Sequence, residues 1–289
     1  MEFAFNFTYG YRTEMKDGDR HAPNPENAHT AARIYAFEAA LGFWRGLGMR
    51  IGLPILDVDF GNDTGDNHDV DVGDLWFRVG YTWATGNKRG IFRVGGSLGL
   101  SLPTGGRLAA DLTSNASFAS KTVNPLFQVN LAYDFRFGLG FFAVADVRWV
   151  PYAHEGTQSG SAFTYGGGIR YRLFKRLYPS VGVYGLHRLP DEVPAAPPMI
   201  GTMEMNGIDS LYVAVGLAYS FQYKPLRGLS LHATLMIPAY HYARNPQLVE
   251  KLDFTIGIRY GFDAWKPKGA PPPPSPGPPD PLQRQIASQ

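Results

Sequence analysis

Arginine and carboxylate side chains recur on the polar rows of many segments in which every second residue is apolar. Segment 90–102, for example, alternates apolar residues with a polar row that contains Arg93. A period of two is typical of β-strands, whose successive side chains point to opposite faces. We predict one polar face, shared by all strands and turned toward an enclosed lumen. Its lining residues are predicted to include Glu38, Arg50, Asp74, Arg78, Arg93, Asp134, Arg136, Asp146, Arg148, Arg170, Arg172 and Arg259.

Two kinds of chemistry are open to such a charged face. Arginines and carboxylates can form bidentate pairs that link strands inside a closed structure, which is the main role we predict. An excess of arginine could instead form a cationic constriction that selects anionic solutes. The polar rows hold ten arginines and six carboxylates, so a positive excess keeps the second role open.

One further group of residues could do catalysis. His232 lies on the polar row with hydroxyl neighbours Ser230 and Thr234, and Asp253 belongs to the adjacent strand. A hydrolase needs a positioned nucleophile beside such a histidine. No surrounding motif marks this set, so we predict that the protein is not an enzyme.

An acid-rich stretch near residues 57–71 offers oxygen ligands of the kind that Ca²⁺ prefers. Six aspartates occur there together with His68, but their spacing does not match an EF-hand. We therefore predict a solvated acidic loop, with no metal site and no cofactor. Divalent ions that bridge this loop to lipopolysaccharide phosphates are a milder alternative. Cysteine is absent, which excludes thiolate metal sites and cysteine nucleophiles.

Twelve period-two segments must position these residues. They cover 2–12, 31–43, 47–58, 72–84, 90–102, 122–136, 139–150, 163–174, 178–188, 210–222, 227–240 and 251–262. Most are longer than the ~5–6 residues typical of soluble strands, whereas a tilted membrane strand needs ~9–11. The connections between them alternate between short and long, which is typical of outer-membrane barrels with short periplasmic turns. An even number of strands places both termini on the periplasmic side.

Aromatic residues end the even-numbered strands on the apolar face. We predict that they form a periplasmic aromatic girdle made of Tyr81, Trp83, Tyr133, Phe135, Tyr171, Tyr219, Phe221, Tyr260 and Phe262. The apolar face is expected to contact outer-membrane lipid, and the long loops to contact lipopolysaccharide. A soluble barrel with an apolar interior is the alternative, but its outer face would carry many Lys and Glu residues.

The overall composition fits this interpretation. Aromatic residues make up 14% of the chain and charged residues only 18%, against about 25% charged in typical soluble domains. No run of 18 apolar residues occurs, which excludes a helical membrane protein. The net charge of +2 is too small to indicate a nucleic-acid partner. No secretion signal is visible, and we expect that it has been removed or lies upstream.

The last residues form a distinct region. Nine prolines lie within 267–281, which predicts an extended polyproline II segment. We therefore divide the chain into a barrel at 1–262 and a periplasmic Pro-rich tail at 263–289. The tail is either a spacer or a docking segment for a periplasmic protein partner.

A pair of short motifs in the centre of the chain points to a known family. Gly73-Asp74-Leu75 opens one strand, and Leu100 to Gly105 ends the next with the sequence Leu-Ser-Leu-Pro-Thr-Gly. This combination resembles outer-membrane β-barrel proteins associated with the meta-pathway of phenol degradation, which are described as transporters of hydrophobic compounds. The resemblance implies transport of a hydrophobic or aromatic solute.

The sequence therefore predicts an all-β, transmembrane, antiparallel barrel of about twelve strands with a disordered Pro-rich tail. Its predicted function is that of a porin-like outer-membrane channel or transporter for hydrophobic or aromatic compounds, or for small anions. The alternative is a structural barrel that anchors a cell-envelope or surface assembly through its loops and tail.

Overall fold

The computed structural model describes residues 1–24, 26–44, 46–105, 121–154, 158–174, 176–194, 202–205, 207–223 and 226–262. The tail at 263–289 lies outside these residues, so its predicted conformation stays a prediction. The strands are β1 (Glu2–Gly18), β2 (Arg20–His21), β3 (His29–Trp44), β4 (Leu47–Asn62), β5 (Gly65–Val72), β6 (Leu75–Gly86), β7 (Gly90–Leu102), β8 (Asn124–Phe135), β9 (Leu139–Arg148), β10 (Ala162–Tyr171), β11 (Leu177–Arg188), β12 (Asp191–Pro194), β13 (Thr202–Met205), β14 (Ile208–Ser220) and β15 (Leu229–Gly261). Among the described residues, no helix is long and apolar enough to cross a membrane.

The main sheet closes on itself. Its antiparallel neighbours run from β15 through β14, β11, β10, β9, β8, β7, β6, β4 and β3 to β1. The first and last strands of this path then pair with each other, with Glu2 opposite Gly261 and Phe7 opposite Ile256. The predicted all-β antiparallel barrel is confirmed, and closure leaves no open edge in its wall.

The number of strands differs from the predicted twelve. The main sheet has thirteen strands, because β2 and β5 form within segments predicted as loops, and because segments 227–240 and 251–262 join into the single strand β15. The two halves of β15 pair with different neighbours, the first with β14 and the second with β1. They also lie side by side, since the Gly261 N–H donates to the Gly228 carbonyl at 3.0 Å. A separate hairpin of β12 and β13 lies within the predicted loop 189–209.

Side chains alternate between an exposed outer face and a buried inner face. On β8, Phe127, Val129 and Leu131 are exposed, whereas the alternate residues Leu126 and Gln128 are buried. The same alternation recurs around the barrel, so that the outer face is covered with exposed apolar side chains. A continuous apolar exterior is unfavourable in water and suits the lipid-facing band of a membrane barrel.

The inner face is less polar than the sequence predicted. Two apolar clusters lie on it. The first consists of Ala32, Ile34, Leu56 and Val58, near the long-connection ends of β3 and β4. The second consists of Val144, Tyr184, Tyr212, Ala214 and Met236, with Phe142 packed against it. The assumption that every inward row is polar was therefore wrong.

Candidate functional site

One buried ion pair crosses the barrel interior. Arg78 of β6 contacts Asp146 of β9 through both terminal guanidinium nitrogens, Nη1 and Nη2. The Nη2 atom lies 3.2 Å from Asp146 Oδ1. The strands β7 and β8 stand between these two residues, so the pair must pass over their inner face. Arg78 and Asp146 are only 7% and 1% exposed. A Cβ built on Gly99 of β7 would lie 2.6 Å from Arg78 Cγ, so this glycine makes room for the arginine.

A second inner network is centred on Asp134 of β8. Arg93 of the adjacent β7 pairs with one carboxylate oxygen, and Arg170 of β10 binds the carboxylate with Nη2–Oδ1 and Nη2–Oδ2 distances of 2.7 and 2.9 Å. The Arg170 side chain crosses β9 at Gly140, where a Cβ would collide with the Asp134 carboxylate. Two guanidinium groups thus share one carboxylate near the short-connection end of the barrel.

A third group lies near the long-connection end. Arg148 Nη2 is 3.5 Å from Asp74 Oδ2, and Arg188 Nη2 is 2.7 Å from Asp191 Oδ1. These two pairs adjoin, because Arg148 experiences the charges of both Arg188 and Asp191. The sequence did not identify Asp191, since it lies in a segment predicted as a loop and belongs to no alternating row.

The remaining inward charges from the sequence are more dispersed. Arg259 Nε lies 3.1 Å from Glu2 Oε1, which links β15 to β1 where the barrel closes. Asn6 Nδ2 donates to Glu38 Oε1 at 3.4 Å, and Arg50 is half-buried on β4.

Two arginines predicted to line the lumen lie elsewhere. β8 ends at Phe135 and β10 ends at Tyr171, so Arg136 and Arg172 fall in the short connections, where both are exposed. Arg172 Nη2 donates to the Arg136 carbonyl at 3.2 Å, which holds the two connections together. Both residues were predicted to lie on the inward row because the predicted segments 122–136 and 163–174 extend past the ends of β8 and β10.

The predicted girdle residues lie on the outer face near the short connections. Pairs two residues apart contact each other: ring centroids are 4.7 Å apart for Tyr133 and Phe135, and 5.0 Å apart for Tyr219 and Phe221. Tyr81, Trp83, Tyr171, Tyr260 and Phe262 are exposed. Their interaction with the headgroup region stays a prediction.

The apolar cluster around Tyr184 gives one part of the interior an aromatic character. Tyr184 of β11 pairs with Tyr212 of β14, and Val144 lies two residues from the inward Asp146 on β9. The Tyr184 ring covers Gly166, where a Cβ would collide with it. The alternation of residues in the sequence did not reveal that this ring occupies the space above Gly166.

A polar region adjoins this cluster on β1 and β15. His232 Nε2 lies 3.0 Å from Asn6 Oδ1, and the Thr8 and Thr255 hydroxyls are 3.0 Å apart. The contact of His232 with an amide gives it a hydrogen-bonding role in the wall. Its predicted alternative as a catalytic base beside Ser230, Thr234 and Asp253 stays a prediction.

The acid-rich stretch is a strand pair and not the predicted loop. Arg33 of β3 binds two aspartates of β4. Its Nη1 atom lies 2.9 Å from Asp57 Oδ1, and its Nη2 atom lies 2.7 Å from Asp59 Oδ2. His68 of β5 lies 2.7 Å from Asp59, and hydrogen bonds from His68 and Arg33 hold the pKa of Asp59 below its ordinary value. Asp57, Asp59 and His68 are close enough to offer three metal ligands, but Arg33 already contacts both carboxylates and offsets part of their charge.

The two short motifs noticed in the sequence meet in space. The Leu75 N–H donates to Thr104 Oγ1 at 2.8 Å, and the Thr104 hydroxyl donates to the Gly73 carbonyl at 3.3 Å. The Gly105 N–H donates to Asp74 Oδ1 at 3.3 Å. The motifs therefore fix the outer ends of β6 and β7 to each other and orient Asp74 toward Arg148.

Comparison with one solved outer-membrane channel agrees with this architecture. An outer-membrane channel from Pseudomonas putida F1 has a similar fold, with a TM-score of 0.67 at 13% identity over 90% of this chain and 94% of that chain. The NanC porin aligns less well, with a TM-score of 0.46 at 12% identity over 89% of this chain and 100% of that chain. No curated protein sequence matches this chain significantly.

The sequence itself provides the assignment to a family. Residues 27–235 match the model of the family described as "Putative MetA-pathway of phenol degradation". This match covers most of the chain and includes both motifs that carried the resemblance. The protein therefore belongs to the family described as the MetA pathway of phenol degradation.

Proposed function

We propose that this protein is an outer-membrane channel or transporter that passes small hydrophobic or aromatic molecules. The observation that carries the proposal is the apolar and aromatic cluster on the inner face, formed by Phe142, Val144, Tyr184, Tyr212, Ala214 and Met236. A barrel that passes only hydrated ions has no physical need for such a surface, because its interior is polar and water-filled. Tyr184 and Tyr212 are only 1% and 2% exposed, so an aromatic solute would have to displace these rings to gain free energy by contact with the cluster. The family description points in the same direction.

Selection of small anions is less well supported. The inward arginines with the clearest geometry already contact carboxylates: Arg78 binds Asp146, while Arg93 and Arg170 share Asp134. Paired charges leave a weaker field for a passing anion than the predicted excess of arginine would give. An anion pathway would need these pairs to open.

Placement in the outer membrane follows from the exterior of the barrel. The apolar outer face and its closed antiparallel wall suit a bilayer, and the fold resembles that of an outer-membrane channel. We propose that the short connections and both described ends of the barrel face the periplasm, as is usual for such barrels.

The experiment is a flux assay in liposomes with purified full-length protein. Phenol and a neutral sugar of similar size are compared, and the ratio of their rates is measured. We expect the phenol preference of the wild type to decrease in Tyr184→Ser/Tyr212→Ser. The matched control is Tyr165→Ser, because Tyr165 is exposed on the outer face of the adjacent β10. An unchanged ratio in the double variant would contradict the proposed aromatic pathway.

A second candidate is a closed structural barrel that anchors an envelope or surface assembly. The ion pairs that cross the interior, Arg78–Asp146 and Arg170–Asp134, favour it, since bridged strands reduce the free space in a narrow barrel. Deletion of 263–289 separates the two candidates. A channel should retain its flux without the tail, whereas an anchor that uses the tail should lose its periplasmic protein partner.

A further inference from the structure

The two ends of the barrel carry opposite charge. Five short connections join the antiparallel strands at one end, and together they contain nine Lys or Arg residues and no Asp or Glu. The basic residues number one in 45–46, two in 87–89, one in 136–138, three in 172–176 and two in 221–228. The five long connections at the other end, at 19–28, 63–74, 103–123, 149–161 and 189–207, contain twelve acidic and three basic residues.

The described basic side chains of the short connections form no ion pairs with carboxylates. Six of them are described: Lys88, Arg89, Arg136, Arg172, Arg176 and Arg227. Within the described part of the chain, none of these six forms an ion pair with a carboxylate. Two of these connections lie close together, since Arg172 Nη2 donates to the Arg136 carbonyl at 3.2 Å. Guanidinium groups without a carboxylate partner can form charge-assisted hydrogen bonds with a phosphate.

Aromatic residues in the same connections indicate where these charges lie relative to a bilayer. Phe174, between Arg172 and Arg176, is 86% exposed, and Phe137 and Tyr223 are also exposed. The Arg176 guanidinium lies 4.9 Å from the centre of the Tyr223 ring and donates to its hydroxyl at 3.3 Å. Exposed aromatic rings beside basic groups are typical of the headgroup level of a membrane. Tyr81 and Trp83 lie on the outward row of β6. They are next to this headgroup level, toward the apolar band.

We propose that the basic rim, defined as Lys88, Arg89, Arg136, Arg172, Arg176 and Arg227, binds the phosphate headgroups of anionic phospholipids in the adjoining leaflet. This inference rests on the membrane placement in the proposed function but not on transport. Basic residues close to a membrane surface each attract anionic lipid by ~1 kcal/mol, which is about fivefold in affinity. The acidic rim at the other end would repel the same lipids, so the charge also fixes the direction of insertion relative to the two leaflets. An acidic protein is the competing occupant.

Quenching of tryptophan fluorescence by brominated lipid tests the proposal, because Trp83 lies on the outer face beside the basic rim. Full-length protein is reconstituted with brominated phosphatidylglycerol or brominated phosphatidylcholine, and the contribution of Trp83 is obtained by difference from Trp83→Phe. We expect phosphatidylglycerol to quench at a lower mole fraction than phosphatidylcholine. The preference should be lost at ~1 M salt, where the Debye length is about 3 Å.

The decisive variant removes charge from the rim by Lys88→Gln, Arg89→Gln, Arg172→Gln and Arg227→Gln. It should reduce the preference by at least fivefold. The matched control, Asp63→Asn, Asp66→Asn and Asp69→Asn, changes charge at the other end and should retain the preference. Equal quenching by both lipids in the wild type would overturn the inference and leave an acidic protein as the occupant. No quenching by either lipid would overturn the membrane placement itself, and the inference with it.

Discussion

Asp134 of β8 and Arg170 of β10 are separated by a whole strand, and their side chains meet directly over Gly140 of β9. The Arg170 Nη2 atom lies 2.7 Å from Asp134 Oδ1, and the Arg170 Nε atom lies 3.1 Å from the same oxygen. The contact exists because the intervening residue has no side chain. Glycine on the inner face of this barrel thus allows ion pairs to span three strands.

Substitution Gly140→Ala should break this bridge. The new Cβ would lie 3.0 Å from Arg170 Nε and even closer to the Asp134 carboxylate, so one of the two side chains must move. We expect the free energy of unfolding to fall by ~1–3 kcal/mol, as for other substitutions that overpack an interior. Urea unfolding in detergent, followed by tryptophan fluorescence, measures the change. Gly10→Ala is the control, since nothing lies within 4 Å of a Cβ at that position; an equal loss in both variants would contradict the steric explanation.

The buried pair of Arg78 and Asp146 predicts strong coupling between two distant strands. Arg78→Met or Asp146→Leu alone leaves a buried charge without its partner and should destabilise the barrel by ~3–5 kcal/mol. The double variant should recover most of this loss, because an apolar pair fills the same space. A double-mutant cycle of urea unfolding free energies gives the coupling. Additive losses in the double variant would show that the two side chains do not act as a pair.

The contact between the two family motifs predicts a role for one hydroxyl. Thr104→Val keeps the shape of the side chain but removes the acceptor for the Leu75 N–H and the donor to the Gly73 carbonyl. We expect a loss of ~1–2 kcal/mol in unfolding free energy. The change should be absent in Thr85→Val, which alters an exposed residue at the other end of β6. A neutral effect of Thr104→Val on the unfolding free energy would contradict the stabilising role assigned to these two hydrogen bonds.

The hydrogen bonds to Asp59 predict how the β4–β5 hairpin depends on pH. This hairpin extends beyond the apolar band, since the outward residues Asp57 and Asp59 of β4 pair with Arg33 of the neighbouring β3. Hydrogen bonds from His68 and Arg33 lower the pKa of Asp59, so its stabilising contribution is fully present above the ordinary aspartate pKa of about 3.9. That contribution is lost as the pH falls through the lower, folded value.

Titration of the Asp59 carboxyl carbon by NMR measures this pKa directly. The midpoint should lie below about 3.9 in the wild type and should rise in His68→Ala, which removes the larger of the two favourable hydrogen bonds. Thr64→Ala, at the tip of the same hairpin, provides a control for general changes in the loop. A midpoint that does not change in His68→Ala would contradict the assigned cause.

The alternation of residues determined most of the architecture. In segment 251–262, apolar residues alternate strictly with polar residues and glycine. In the structure, Ile256 and Ile258 are exposed on the outer face, whereas Thr255 is buried. A strand has only two faces. A clear contrast between an apolar and a polar row therefore fixes the face to which every side chain of the strand points. The alternation of long and short connections indicated an outer-membrane barrel. The motifs around Asp74 and Thr104 indicated the family.

Tertiary structure decided which inward residues meet. A pairing such as Arg78 with Asp146 depends on the closure and tilt of the sheet, because the two residues belong to strands that are not neighbours. Closure also gathered Phe142, Tyr184 and Tyr212 into one apolar cluster, which no single strand displays. The acidic stretch became a strand because β4 extends far enough to pair with β5, from Ile55 opposite Val72 to Asn62 opposite Gly65. Local sequence specifies the face of each residue, but only the closed ring of strands specifies its partner across the interior.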